Sequence, residues 1–357
     1  MKSFLRRRSA LAARLATAVL VLAGSLCATW LCADAVAFFA GRDREAPPQP
    51  LAGDRFAVSD LEWSDAGRQR RVPVRLFWPQ AVQGGKVPLI VFSHGIGSSR
   101  DGYNYLGRYW ARHGVASLHL QHVGSDRTLW RGDVSGLLSR FQRAAGDQEA
   151  IARVQDFSFA LDRLLQSGYG EHIDAARIVA AGHSYGANTT LLAAGARVMR
   201  NGRELAFRDA RISAAILISA PPFYGESDFG PILSAITIPT LHITTAQDVI
   251  RIPGFGSGVD DRLKVFSATG SAFKALAIYR EGSHNVFTDR RYFDSLAVAD
   301  QVKSATEDLS LAFLAQVYSQ QDSLRGWKDE HAALMSAYLQ FGTVQAALPA
   351  AARLAAQ

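Results

Sequence analysis

Cysteine is scarce in this sequence. Its 357 residues include only Cys27 and Cys32, and both lie within the first 37 residues. The chain beyond residue 37 therefore offers no disulfide and no thiol nucleophile, so its stability must come from a packed core. Hydrophobic residues make up 48% of the chain, which is enough for one large domain with such a core.

Motifs and charge that would indicate nucleic acid or nucleotides are also missing. The sequence contains no GxGxxG and no GK[ST], which excludes the common phosphate-binding loops. Residues 1–37 hold five basic side chains and one acidic side chain, so they supply +4 of the formal net charge of +7. The remaining charge of +3 is too small to indicate a nucleic-acid interface.

The N-terminus has the pattern of a targeting segment. A basic head precedes the uncharged stretch Leu15–Ala33, and small residues follow at Ala35 and Ala37. This pattern predicts a secretory signal peptide in residues 1–37, cleaved after Ala35 or Ala37, and export to the periplasm or beyond. The uncharged stretch of 19 residues also approaches the length that spans a bilayer. An uncleaved membrane anchor formed by residues 11–33 is therefore the alternative.

The rest of the chain divides into a linker, one domain and a tail. Prolines give residues 38–54 the composition of a linker, and the alanine-rich residues 346–357 predict a fraying helical tail. The domain is predicted to occupy residues 55–345. It opens with two alternating segments around Asp65–Gly67, which predict an antiparallel hairpin.

Apolar runs and helical spacings then alternate along the domain. Helices are expected over Tyr103–Arg112, through Ile151–Leu164 and over Asn188–Ala196. The predicted strands are Phe56–Trp63, Val72–Trp78, Pro88–Phe92, Val115–Leu120, Ala176–Ala180, Ala214–Ser219, Thr240–Thr244 and Ala275–Tyr279. This order predicts an α/β fold with a mostly parallel central sheet, an N-terminal antiparallel hairpin and helices on both faces.

One serine stands in a sequence typical of catalytic nucleophiles. The segment Gly182–Gly186 (GHSYG) follows the predicted strand Ala176–Ala180 and precedes the helical segment Asn188–Ala196. Glycines at both ends allow a sharp turn, which leaves the hydroxyl of the central serine exposed above the sheet. Ser184 is therefore the predicted nucleophile, and an ordinary structural turn is the alternative.

A serine hydroxyl reacts only when a base and an orienting carboxylate accompany it. In α/β-hydrolase order, the acid and then the histidine follow the nucleophile along the chain. Asp248 follows the predicted strand Thr240–Thr244, and His284 follows the predicted strand Ala275–Tyr279. Because parallel strands end at one edge of a sheet, both side chains are expected to reach Ser184. Other loop carboxylates remain alternatives to Asp248, namely Asp228, Asp260 and Asp261.

The oxyanion of an acyl-transfer reaction needs two backbone N–H donors. The residue after the nucleophile, Tyr185, supplies the first predicted donor, and Ile96 in the glycine-containing loop Ser93–Ser99 supplies the second. His94 is expected to brace this loop. A metal site at His119 and His122 is not expected, because these side chains would lie on opposite faces of an extended strand.

Two long segments interrupt the alternation of strands and helices. Ser125–Gly146 and Val249–Ser271 lie near the carboxyl edge of the predicted sheet, where ligands bind in such folds, and are interpreted as pocket walls. Four apolar residues are expected to line an acyl pocket, with ordinary packing as the alternative: Trp130, Phe223, Tyr224 and Phe287.

Four stretches also carry a family resemblance. They are Pro88–Gly97 (PLIVFSHGIG), Leu118–Asp126 (LHLQHVGSD), Ala181–Gly186 (AGHSYG) and Gly282–Arg290 (GSHNVFTDR). Together they resemble the bacterial "predicted dienelactone hydrolase" group of the α/β hydrolases, relatives of the platelet-activating-factor acetylhydrolases, over about residues 55–320. The resemblance implies a serine hydrolase that acts on small-molecule or lipid-like esters without a metal or organic cofactor.

The sequence departs from those families at two places. Dienelactone hydrolases proper carry a cysteine where this chain has Ser184, and the platelet-activating-factor enzymes carry their acid after the strand that ends here at Ser219. The assignment of Asp248 therefore depends on the general chain order of the fold. Two other functions stay open, an acyl-peptide or amide hydrolase and a non-catalytic, membrane-tethered binding protein.

Overall fold

The computed structural model describes residues 56–80, 85–252, 254–290, 294–319 and 321–344. The predicted signal or anchor, the linker and the tail 346–357 lie outside these residues and stay predictions. Within the described ranges, no helix is both long and apolar enough to cross a membrane. Residues 130–138 group apart from the rest and contain the end of the 3-10 turn Arg127–Trp130.

The predicted N-terminal hairpin is present. Strand β1, Phe56–Asp65, pairs antiparallel with β2, Arg70–Pro79, and the register joins Phe56 to Pro79 and Asp65 to Arg70. Side chains of β1 alternate between half-buried and exposed positions because this strand forms the edge of the sheet.

Six strands continue the sheet behind the hairpin. They are β3, Val87–Ser93; β4, Ala116–Leu120; β5, Ile173–His183; β8, Ile212–Ile218; β9, Thr240–Thr245; and β10, Phe273–Tyr279. Among themselves they pair in parallel, while β4 pairs antiparallel with β2. With the last strand, β11, Met335–Gly342, the order across the sheet is β1-β2-β4-β3-β5-β8-β9-β10-β11. Strands β3 and β5 lie at its centre, so the segments that follow them meet at one edge.

Three strands were not expected from the sequence. Strand β11, Met335–Gly342, pairs antiparallel with β10 and closes the far side of the sheet. Strands β6, Arg197–Arg200, and β7, Arg203–Ala206, form a separate two-stranded hairpin. All three carry polar and exposed side chains that lack the apolar run of the central strands.

Helices cover both faces of the sheet, as predicted. They are α1, Asn104–Arg112; α2, Leu137–Ala144; α3, Asp147–Leu165; α4, Tyr185–Ala194; α5, Gly230–Leu233; α6, Val259–Ala268; α7, Leu296–Ser319; and α8, Ser323–Glu330. The two segments interpreted as pocket walls contain α2 and α6. Helix α4 begins at Tyr185, three residues before the expected start, because it follows the elbow turn directly.

Successive side chains of β3 point to opposite faces of the sheet, and each face packs into its own hydrophobic core. Leu89 points into a buried cluster that includes Phe157 of α3, and Ile90 points into a second cluster that includes Trp110 of α1 and Phe313 of α7. Each of these side chains is fully buried. Burial on both faces holds the central strands rigidly, and this rigidity fixes the loops at their carboxyl ends.

Candidate active site

The turn between β5 and α4 holds Ser184 in a strained conformation. Its backbone φ is 54° and its ψ is −123°, values that few residues other than glycine adopt. Gly186 allows the start of α4 to pack closely against the end of β3, because a Cβ on Gly186 would overlap the carbonyl oxygen of Ser93. The Ser184 N–H donates to the Ile218 carbonyl at 2.9 Å, which fastens the turn to β8. This is the geometry of a nucleophile elbow.

The structure brings Ser184 together with the two predicted partners. His284 Nε2 lies 2.8 Å from Ser184 Oγ, and His284 Nδ1 lies 2.7 Å from Asp248 Oδ1. Because an ionised carboxylate only accepts, Nδ1 donates to Asp248 and Nε2 is left to accept the serine proton. Ser184, His284 and Asp248 are called the elbow triad below. Asp248 is fully buried, whereas the serine and the histidine retain 7% and 8% exposure.

The other carboxylates considered from the sequence have different partners. Asp228 accepts the Gly230 N–H at 2.9 Å, and Asp261 accepts the Gly258 N–H at 3.0 Å, both as local turn and helix-start contacts. Asp260 is exposed on α6. Asp248 alone among the four therefore bonds to the imidazole of His284.

A buried arginine accompanies the acid, and sequence reasoning missed it. Arg262 of α6 donates to Asp248 through Nη2 at 3.1 Å and through Nε at 3.3 Å, and Thr244 Oγ1 donates at 2.7 Å. Burial would raise the pKa of Asp248, but His284, Arg262 and Thr244 together hold that pKa well below its ordinary range. The carboxylate therefore stays charged. No sequence signal indicated Arg262, because it lies 14 residues further along the chain in a segment interpreted only as a pocket wall.

The loop after β3 lies against the nucleophile. A Cβ on Gly95 would stand only 3.3 Å from the Cβ of Ser184, so the glycine allows a close backbone approach. The loop is fixed by hydrogen bonds from Gly97 N–H to the Ser125 carbonyl at 2.8 Å and from Ser98 N–H to the Gly95 carbonyl at 3.1 Å.

The two predicted oxyanion donors belong to this arrangement. Ile96 follows Gly95 in the loop, and Tyr185 follows Ser184 at the first position of α4. An amide at that position has no acceptor within the helix. In the described ranges, neither N–H donates to a backbone carbonyl. The role of both groups as oxyanion donors stays a prediction.

His94 braces the loop, in the way the sequence suggested. Its Nδ1 lies 2.7 Å from the Gly95 carbonyl, and its Nε2 accepts the His122 N–H at 3.1 Å. Burial and the nearby Arg153 hold the pKa of His94 well below its ordinary range, so the ring is neutral. Arg153 is itself fully buried and donates to the His94 carbonyl. Its guanidinium also stacks 4.5 Å from the Tyr185 ring centre, so it ties the loop to the start of α4.

The four predicted pocket residues have different surroundings. Phe287 is fully buried and packs against His183 and Tyr279, so its ring belongs to the core and has no surface with which to line an open pocket. Phe223 is 8% exposed and belongs to the core cluster on the α3 face. Trp130 ends the turn Arg127–Trp130, and its role stays a prediction.

Tyr224 is the predicted pocket residue that contacts the pocket-wall segment Val249–Ser271, and through Phe255 of that segment it is linked to α2. Its ring lies 5.2 Å from that of Phe255, which in turn lies 5.1 Å from the ring of Phe141. Phe255 belongs to the segment before α6, and Phe141 belongs to α2. The two segments interpreted as pocket walls therefore meet through these three rings.

Comparison with known proteins agrees with the geometry. In the described ranges, no cluster of three or more histidine, cysteine or carboxylate side chains is arranged to hold a metal ion. No curated protein matches the sequence. The sequence model described as "Alpha/beta hydrolase family" matches residues 90–356, which is more than half of the chain and includes the elbow triad. The chain therefore belongs to the alpha/beta hydrolase family.

Proposed function

We propose that this protein is a serine hydrolase that cleaves carboxylic esters through an acyl-enzyme. The observation that carries the proposal is the continuous chain of short hydrogen bonds from Asp248 through His284 to Ser184 Oγ, at 2.7 and 2.8 Å. A hydroxyl held this way can lose its proton to the imidazole as it attacks.

The reaction uses each part of the site in turn. His284 Nε2 takes the proton of Ser184 while Oγ bonds to the acyl carbon, and the carbonyl electrons move to oxygen. The amides of Ile96 and Tyr185 donate to this oxyanion. When the tetrahedral intermediate collapses, the imidazolium gives its proton to the departing alcohol. Water, deprotonated by the same imidazole, then releases the acid and restores Ser184.

Asp248 stabilises the charged imidazole that appears twice in this cycle. Its carboxylate is fully buried, so its interaction with the imidazolium is poorly screened by water. The hydrogen bond from His284 Nδ1 to Asp248 also fixes the ring in the tautomer whose Nε2 is unprotonated and can accept the serine proton. Arg262 and Thr244 keep the carboxylate in place and ionised.

Hydrolysis of short p-nitrophenyl esters tests the proposal. Purified protein should hydrolyse these esters and be labelled on Ser184 by a fluorophosphonate probe, and Ser184→Ala should lose both while staying folded. A matched pair of ester and amide substrates separates the ester proposal from the amide alternative. Absence of labelling and turnover in the folded wild-type protein would instead favour the non-catalytic alternative.

We also propose that the domain is exported, because residues 1–37 combine a basic head, an uncharged stretch and small residues at Ala35 and Ala37. Cell fractionation locates the protein, and its intact mass after expression distinguishes a cleaved signal peptide from a retained anchor. Recovery of the full-length mass in the soluble cytoplasmic fraction would contradict export.

A further inference from the structure

Two buried residues outside the elbow triad connect the parts of the site. His183 is the last residue of β5 and directly precedes the nucleophile, and Tyr103 directly precedes α1. Both side chains are almost completely buried, with 2% and 1% exposure. Sequence reasoning assigned no role to either residue. The position before the serine in GxSxG accepts many residue types, and Tyr103 is only the first residue of a predicted helix.

These two side chains form an unbroken hydrogen-bonded connection. His183 Nε2 lies 3.0 Å from the backbone carbonyl of His284, and His183 Nδ1 lies 2.8 Å from the hydroxyl of Tyr103. The same hydroxyl accepts the Gly95 N–H at 3.3 Å. The connection therefore runs from the backbone of the catalytic histidine, below the nucleophile, to the loop that carries Ile96.

The direction of every bond in this connection is determined. A carbonyl only accepts, so His183 must carry its proton on Nε2. Burial, and the proximity of His284, hold the pKa of His183 well below its ordinary range, so the ring is neutral and Nδ1 accepts. Burial raises the pKa of Tyr103 to about 12, so its hydroxyl keeps its proton and donates to Nδ1. Each ring nitrogen of His183 therefore has one partner of the matching kind, and the Tyr103 hydroxyl donates to Nδ1 while it accepts the Gly95 N–H.

The far end of the connection fixes the peptide that bears an oxyanion donor. The Gly95 N–H is held by Tyr103, and the Gly95 carbonyl is held by His94 Nδ1 at 2.7 Å. The Gly95 N–H belongs to the peptide before Gly95, and the Gly95 carbonyl belongs to the peptide that joins it to Ile96, so hydrogen bonds restrain the peptides on both sides of Gly95. The Ile96 N–H then keeps one direction relative to Ser184.

We propose that Tyr103 and His183 are positioning residues that set the distance between the imidazole of His284 and the oxyanion-binding amide of Ile96. The ring of His183 lies 4.9 Å from that of His284, centre to centre, but its two nitrogens bond to the His284 backbone carbonyl and to the Tyr103 hydroxyl rather than to the reacting atoms. The effect of both residues is on catalysis because proton transfer and oxyanion stabilisation must occur in the same transition state, and an error of about 1 Å in either can cost about 100-fold in rate. This inference rests on the proposed function.

The isosteric change Tyr103→Phe tests the connection with little disturbance of packing. It removes the hydroxyl while keeping the ring against Phe92, whose centre lies 4.7 Å away. We expect kcat for a p-nitrophenyl ester to fall by about 10- to 100-fold, with KM changed by less than about threefold. Because no group in the connection titrates near neutrality, the loss should be the same from about pH 6 to pH 9.

A matched control removes a tyrosine hydroxyl elsewhere in the protein. Tyr318→Phe loses a bond of 2.6 Å to Ser213, which lies at the start of β8 and away from the elbow. It should cost similar stability and leave kcat within about twofold. If Tyr103→Phe also leaves kcat within about twofold of wild type, the inference is overturned.

Substitutions of His183 keep the test valid if Tyr103→Phe unfolds. His183→Gln retains one donor and one acceptor at the tip of the side chain, whereas His183→Leu retains neither. We expect His183→Gln to keep at least about tenfold more kcat than His183→Leu at equal folded fraction. Adding Tyr103→Phe to His183→Leu should then cost little more, since the connection is already broken. Equal kcat for the glutamine and leucine variants would overturn the inference.

These outcomes separate the inference from the function on which it rests. If the folded wild-type protein neither reacts with the fluorophosphonate probe nor hydrolyses esters, the proposed function fails. If the wild-type protein does both, and the Tyr103 and His183 variants match it in kcat, the function stands and the positioning role fails.

Discussion

In the described part of the protein, two sets of aspartate, histidine and serine are hydrogen-bonded in the same order, and both lie close to the loop after β3. Besides the elbow triad, Asp156 Oδ2 lies 3.1 Å from His122 Nδ1, and His122 Nε2 lies 3.2 Å from Ser93 Oγ. We call Asp156, His122 and Ser93 the inner triad. The same three residue types meet in the same bonding order, yet only one set has the surroundings of an active site.

Access and backbone geometry separate the two sets. All three side chains of the inner triad are completely buried, whereas the serine and histidine of the elbow triad keep some exposure. Ser93 ends strand β3 and pairs in the sheet with Leu120 and Gly182. Ser184 instead projects from a strained turn at the start of α4. The elbow serine therefore keeps some exposure to solvent, whereas the inner serine has none.

The two acids also have different arginine partners. Two arginines bond to the acid of the inner triad: Arg68 Nη1 lies 2.8 Å from Asp156 Oδ1, and Arg70 Nε lies 2.9 Å from the same atom. These arginines come from the hairpin turn and from β2, so the inner acid joins the hairpin to α3. His122 in turn donates its backbone N–H to Nε2 of His94, in the loop after β3. We conclude that the inner triad is structural and that residue types alone do not define a catalytic site.

The largest expected contrast is between the two serines. Ser184→Ala should lower kcat for ester hydrolysis by about 10⁴-fold or more, because the attacking atom is removed. Ser93→Ala removes one buried hydrogen bond and should leave kcat within about threefold, with about 1 kcal/mol lost from the free energy of unfolding. Steady-state kinetics and urea denaturation of both variants measure the contrast. A loss of comparable size in Ser93→Ala would show that the inner serine takes part in the reaction.

Substitutions of the two acids should also differ in their effect on kcat. Asp248→Asn should lower kcat by about 10³- to 10⁴-fold, because the amide favours the wrong imidazole tautomer and carries no charge. Asp156→Asn should leave kcat of the folded protein within about tenfold. Asp248→Asn should lose about 3–5 kcal/mol of stability, since it leaves the buried Arg262 without its carboxylate. Asp156→Asn should lose less, since Arg68 keeps its ion pair with Asp65 and Arg70 keeps its ion pair with Glu149. Rates corrected for the folded fraction separate the effects, and a 10³-fold loss of corrected kcat in Asp156→Asn would contradict the structural role.

Much of the elbow triad could be predicted from the sequence, whereas none of the inner triad could. The order of strands places Asp248 and His284 after β9 and β10, and parallel strands deliver their loops to one edge. The contact between His122 and Asp156 instead joins residues 34 positions apart, on a strand exit and on the middle of a helix. Which helical residues face such a loop depends on how α3 packs, and that is a tertiary property that no local pattern records.

In the fold, too, elements with a local sequence pattern could be predicted, whereas elements that depend on tertiary contacts could not. The central strands were predicted because apolar runs such as Pro88–Phe92 are typical of strands buried on both faces. Strand β11 was missed because residues 335–342 mix polar and apolar side chains, and the strand forms only where β10 offers an unpaired edge. Arg262 was missed for the related reason that an arginine in a loop segment is usually exposed, and its burial depends on Asp248.

The smallest expected effect concerns acid stability and tests whether the elbow acid is held ionised. The folded pKa of Asp248 lies below its unfolded value of about 3.9, so its charged contacts contribute their full stability above about pH 4. That contribution decreases as the pH falls from the unfolded pKa toward the folded pKa. The difference in free energy of unfolding between wild type and Asp248→Asn should therefore be constant from about pH 8 to pH 5 and shrink below about pH 4. Urea denaturation across this range measures it, and Ser184→Ala, which removes no carboxylate, is the control. An undiminished difference at pH 3 would mean that the ionised form of Asp248 is not what the buried arginine and histidine stabilise.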